Sequence, residues 1–104
     1  MTRRVLSPAA VKDIDTIWDY TADTWSAKQA DRYVLKIRDA CHALADGRSR
    51  GRSLDRVRSG YWKLAVGSHF LVYRLIEGEV IDVVRVLHNR MDLPSYLTEQ
   101  PESH

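Results

Sequence analysis

The chain has 104 residues, 44% of them hydrophobic and 29% charged, with a net charge of +2 at pH 7. That suits one globular domain with its own core and little surplus stability. No apolar run is long enough to span a bilayer, and so mild a charge makes no global case for nucleic-acid binding.

Arg3 and Arg4 are followed by no long apolar segment, so no secretory signal is expected. Cys41 is the single cysteine, which rules out an internal disulfide and fits a reducing cytosol. Its place on the apolar side of a helix reads as a small buried hydrophobe rather than a nucleophile. His42, His69, His88 and His104 lie far apart without ligand spacing, so no metal site is expected.

Arg3 to Leu6 is a short strand candidate. Ser7-Pro8 then signals a helix start, a capping hydroxyl followed by proline at the first helical position. That helix is predicted to reach about Thr24, with Ala10, Ile14, Ile17, Trp18 and Thr21 on one face. Ser26 caps a second helix to about Ala45, its apolar line being Ala30, Tyr33, Val34, Ile37, Cys41 and Leu44. Asp46-Gly47 ends it in a left-handed cap. Amphipathic helices joined this closely form an antiparallel hairpin, and each must lay its stripe on something else.

Between Gly47 and Lys63 come Arg48, Arg50, Arg52, Arg56, Arg58 and Lys63, against the single acid Asp55. The segment reads either as a solvated loop or as a surface for phosphates or an acidic chain. Three strands are predicted next, Tyr61 to Val66, His69 to Ile76 and Val80 to Leu87, with Gly67-Ser68 and Glu77-Gly78 as two-residue hairpin turns. The domain is taken as residues 1–97, with Met91 to Leu97 making a last turn and 98–104 a frayed tail. The fold class is α+β: an N-terminal strand, a two-helix hairpin, and a three-stranded antiparallel meander with the helices on one face.

Two tight turns dictate a register. Tyr61 meets Arg74, which meets Ile81; Lys63 meets Val72, which meets Val83; Ala65 meets Phe70, which meets Arg85. Trp62, Leu64, Val66, Leu71, Tyr73, Leu75, Val80, Val84 and Val86 then face the helices. The opposite face gathers Tyr61, Lys63, Phe70, Val72, Arg74, Ile81, Val83, Arg85 and Leu87. Lys63, Arg74 and Arg85 become a basic platform that favours an anion among them, unless the chain's own acids pair with them. His88, beside Arg90 and Asp92 at a strand end, is either a proton-transfer group or a cap. Trp25, at the hairpin corner, reads as a core residue or as a partner-binding anchor.

The ordered set of Leu6-Ser7-Pro8-Ala9-Ala10, Ile17-Trp18-Asp19-Tyr20, Trp25 and Gln29-Ala30-Asp31-Arg32-Tyr33 resembles the ParE branch of the RelE/ParE toxin superfamily. It continues through Gly60-Tyr61-Trp62-Lys63-Leu64, Gly67-Ser68-His69 and Val72-Tyr73-Arg74, and closes on Ile81 to Asp92 with its Val-Leu-His-x-x-Met-Asp form. The resemblance implies a cytoplasmic toxin of a type II toxin–antitoxin pair that poisons DNA gyrase with no active site or cofactor of its own. It implies a ParD-like antitoxin whose acidic C-terminal tail folds on the toxin, the complex reaching operator DNA through the antitoxin. Tyr61, Lys63, Arg74, Arg85, His88, Arg90, Arg52, Arg56 and Trp25 are the residues expected to meet target or antitoxin. The sibling RelE branch cuts mRNA on the ribosome, and Lys63, Arg74, Arg85 and His88 would carry that chemistry here. An inactive interaction module is the third reading.

Overall fold

In a computed structural model, residues 3–76, 80–91 and 93 are described. The Glu77-Gly78 turn, Asp92, and the last turn and tail beyond Leu93 lie outside them. The elements are β1 (Arg3–Leu6), α1 (Pro8–Thr24), α2 (Ala27–Ala45), β2 (Arg52–Ser53), β3 (Tyr61–Val66), β4 (His69–Ile76) and β5 (Val80–His88).

Ser7 caps α1 as its residue type predicts, its Oγ accepting from the Ala10 amide at 3.0 Å. The same hydroxyl donates to the Val84 carbonyl at 2.7 Å, which fastens the start of the helix to β5. Ser26 caps α2 in the same way. The α2 end closes with Gly47 N–H on the Leu44 carbonyl and Arg48 N–H on that of Ala43. Trp18 Nε1 donates to Asp31 Oδ1 at 2.9 Å, joining the two helices of the hairpin.

The five strands run in the order β1-β5-β4-β3-β2, with β1 parallel to β5 and the other neighbours antiparallel. β2 is an addition to the expected meander: two residues of the arginine-rich segment pair with β3, Arg52 with Lys63 and Ser53 with Trp62. The β3–β4 register is the one that the Gly67-Ser68 turn predicts, from Val66 with His69 to Tyr61 with Arg74.

The β4–β5 register differs from the prediction. Ile76 pairs with Val80, and Arg74 with Asp82 rather than Ile81. The side-chain parity of early β5 is therefore reversed. Val72 then pairs with Arg85 while Tyr73 pairs with Val83, so Val84 is an extra residue in a β-bulge that restores the parity of Val86 and beyond. Ile81, Val83 and Val86 consequently face the helices, where Val80, Val84 and Val86 were expected.

The main core joins Ala10, Ile17, Ile37, Cys41 and Leu44 of the helices to Val66, Leu71, Tyr73, Ile81, Val83 and Val86. Burial raises the Cys41 thiol pKa, with the charge of Arg4 opposing, which suits an inert core thiol. The far sheet face is also covered. Leu54, Leu93, Val57 and Val84 pack there with Val72, Leu87, Tyr61 and Phe70. Leu54, 6% exposed, anchors the arginine-rich loop over that face, and Asp55 pins it by accepting from the Gly60 amide at 2.9 Å.

Candidate functional site

The expected platform of Lys63, Arg74 and Arg85 does not form. Arg74 Nε donates to Asp82 Oδ2 at 2.9 Å, from the neighbouring strand position that the observed register provides. Arg85 is clamped by Asp13 of α1 at 2.8 and 2.9 Å, and Asp13 also accepts from the Val86 amide. Two of the three cations are thus neutralised by the chain's own carboxylates. Lys63 remains, its ammonium 4.4 Å from the Phe70 ring centroid. Tyr61, also expected on the platform, packs in the far-face cluster with the Arg58 guanidinium 4.9 Å above its ring.

What replaces the platform lies at the β2–β3 edge. Arg52 and Lys63 are directly paired across strands, which puts their Cβ atoms about 5 Å apart on one face. Arg52 and Arg56 are exposed, and no carboxylate among the described residues pairs with Arg50, Arg52, Arg56 or Lys63. Like charges directly opposite repel, so this edge favours an anion. Arg52 and Arg56 are open to an anion, whereas Arg74 and Arg85 are taken up by Asp82 and Asp13.

On the helix side, beyond the C-terminus of α2, the helices stop short of the ends of β3, β4 and β5. A groove of about 700 Å³ opens there, lined by Leu44, Trp62, Tyr73, Leu75 and Ile81, with Arg50 on its rim. Leu75 is 46% exposed although it has the parity of a core residue. Trp62 stacks on Tyr73 at 6.4 Å. This groove was missed from sequence. Its signal was the apolar Leu75-Ile76 pair ending a strand next to an arginine-rich loop.

Trp25 is 69% exposed, so it is no core residue. It sits at the start of α2, whose 19 residues place it roughly 28 Å from the groove at the other end. Trp25 and the groove are separate surfaces.

His88 is a strand-end residue whose Nδ1 accepts from the Arg90 amide at 3.1 Å, the capping alternative. Across the strands it meets His69 edge-on, ring centroids 5.2 Å apart. His69 had not been singled out. Its Nδ1 lies 2.7 Å from the Tyr33 hydroxyl, which also accepts from the Ser68 amide and contacts the Val66 carbonyl. If Nδ1–H donates, all the hydroxyl's bonds are satisfied, with Val66 as acceptor of its proton. Burial lowers the His69 pKa first and the charge of His88 second, against a raising influence from Asp13. Lys63 and Arg74 lie on the far face, His88 has the helix-side parity, and Arg85 is held by α1. The four residues that RNA cleavage would need do not converge. Arg90 is exposed beside His88. Among the described residues no group of three potential ligands could hold a metal ion, and no helix is long and apolar enough to cross a membrane.

Comparison with known proteins agrees with this fold. Residues 5–93 match the family of ParE toxins of the type II toxin–antitoxin system parDE. The chain is 46% identical over 92 residues to Toxin ParE1 of Mycobacterium tuberculosis, covering 88% of this chain and 94% of that protein. Toxin ParE1 of Caulobacter vibrioides is 33% identical over the same coverage. A chain of a chromosomal ParDE toxin–antitoxin system from P. aeruginosa superposes with a TM-score of 0.71 at 20% identity, over 85% of this chain and 96% of that one. With a family match over most of its length and close relatives of the same kind, this chain belongs to the ParE toxins of type II toxin–antitoxin systems.

Proposed function

We propose that this ParE toxin arrests growth in the cytoplasm by inhibiting DNA gyrase, and that a ParD-like antitoxin neutralises it by folding its acidic C-terminal tail into the groove beside Arg50. No enzymatic activity of its own is involved. The carrying observation is the groove itself within a ParE toxin: apolar walls of Leu44, Trp62, Tyr73, Leu75 and Ile81, with the Arg50 guanidinium on a rim whose acid, Asp46, is paired with Arg48. A tail that orders on binding needs apolar burial to offset its lost entropy, and carboxylates to meet the rim. Operator DNA is then reached through the antitoxin's own DNA-binding part.

Purified toxin added to gyrase and relaxed plasmid tests the target. Blocked supercoiling with accumulation of linear DNA is expected, and unchanged supercoiling at saturating toxin would overturn the gyrase reading. A toeprint on a programmed ribosome covers the RelE-like alternative, for which a cut in the decoding site is the diagnostic result. For the antitoxin, Leu75→Asp places a charge in the groove at a half-exposed position. It should weaken antitoxin binding at least tenfold, about 1.4 kcal/mol, with the melting temperature preserved; equal affinity would remove the groove from the interface.

A further inference from the structure

The groove lies on the helix side of β3, β4 and β5 and leaves the cations of the β2–β3 edge unexplained. Segment 47–63 carries six cations and one acid; the whole chain has 16 and 14, so the remainder carries 10 and 13. The segment's formal charge is thus +5 and that of the rest of the chain −3, with Arg48 paired to Asp46 just outside the segment. The one acid of the segment, Asp55, accepts from the Gly60 amide. On the far side of the edge Arg52 and Lys63 stand paired across strands, and Arg56 projects from the loop that covers that face.

We infer that Arg52, Lys63 and Arg56 contact the phosphodiester backbone of duplex DNA. The choice between nucleic acid and an acidic peptide follows from what surrounds the charges. Of the apolar residues of the far face, Val72 and Leu87 are buried and Tyr61 and Phe70 partly buried, packed with Leu54, Val57 and Leu93. Cations without an open apolar pocket offer nothing to bury the side chains of a folding tail. They suit a partner recognised by charge alone, and a DNA backbone is such a partner. In the cell the duplex is that held by the target enzyme, so the biological setting rests on the gyrase reading proposed above, while the contact itself does not.

The test uses full-length toxin and a labelled 20-base-pair duplex of arbitrary sequence, with affinity followed by anisotropy across salt concentrations. Each neutralised phosphate adds about 0.9 to the slope of log K against log salt, so R52A/R56A/K63A should lower the slope by about 2.7. Between 50 and 200 mM salt the wild type then loses roughly fortyfold more affinity than the variant. R52A/R56A, which leaves the Lys63–Phe70 contact intact, should lower the slope by about 1.8. The control R32A/R38A removes two exposed cations of α2 and should leave the slope unchanged. No duplex binding at low salt, an equal loss in the control, or variants that bind duplex normally but lose the antitoxin tail would each overturn the inference. If the toxin leaves gyrase untouched while duplex binding follows this pattern, the function fails and the contact stands; the reverse pattern separates them in the other direction.

Discussion

The two faces of the sheet are both closed, but by different means. On one, α1 and α2 lay down regular apolar stripes; on the other, a charged loop and Leu93 do the covering through a few isolated apolar residues. Where each cover ends, the exposed surface has a different character. The helices stop short over aromatic and aliphatic residues and leave a groove, while the loop leaves an edge where Arg52, Arg56 and Lys63 have no carboxylate partner among the described residues. Neighbouring surfaces on one small domain can thus be built for different partners, because what covers a sheet decides what is left at its margin.

Leu54→Ala tests most severely whether the far cover is a core in its own right. At 6% exposure its truncation should cost about 2–4 kcal/mol in denaturant unfolding, comparable to Leu44→Ala on the helix side. A cost under about 1 kcal/mol would reduce the far cover to a loose loop. Asp13→Ala comes next. It leaves the Arg85 guanidinium and the Val86 amide without their carboxylate between helix and sheet, at an expected cost of about 2–3 kcal/mol.

A smaller effect comes from pH. The folded state holds the His69 pKa below its unfolded value, so the unfolded chain takes up the proton first as pH falls. This contribution to stability is whole above about pH 6.5 and is lost progressively below it, down to the folded pKa. Replacing His69 with Gln should flatten melting temperature against pH in that window, and an unchanged acid limb would refute the assignment. Arg74→Ala should do least. Its own side chain is half exposed, but its loss leaves the buried Asp82 carboxylate without its guanidinium, and a cost of about 1 kcal/mol is expected by the same unfolding assay.

The helices and the β3–β4 hairpin were legible because short-range chemistry specifies them: Ser7-Pro8, Ser26, Gly47 and Gly67-Ser68 act on their immediate neighbours. β5 was not. Its parity depends on the connection after Ile76 and on the bulge at Val84, and nothing in a run of β-branched residues marks either one. That parity alone decides whether Arg74 stands opposite Ile81 or Asp82, which is why the platform failed while Lys63 kept its place. The loop's role was hidden for another reason. Leu54 and Val57 are isolated apolar residues in a charged stretch, too few for any periodicity, yet apolar residues in such a setting are what an anchored loop requires. Composition pointed to the segment of Arg52 and Arg56, but the pairing of Arg52 with Lys63 comes from a strand of two residues, too short to predict.

At Gly51 the arginine segment climbs over the rim of the sheet. Its amide donates to the Tyr73 hydroxyl at 2.8 Å, and a Cβ there would meet the Lys63 carbonyl oxygen, itself a β3 backbone atom. One added methyl is therefore a wedge under the hinge between the aromatic recess and the cationic ledge. A side chain at that point has to push the segment or β3 aside, so Gly51→Ala should disturb the shape of the groove and the spacing of the cations together.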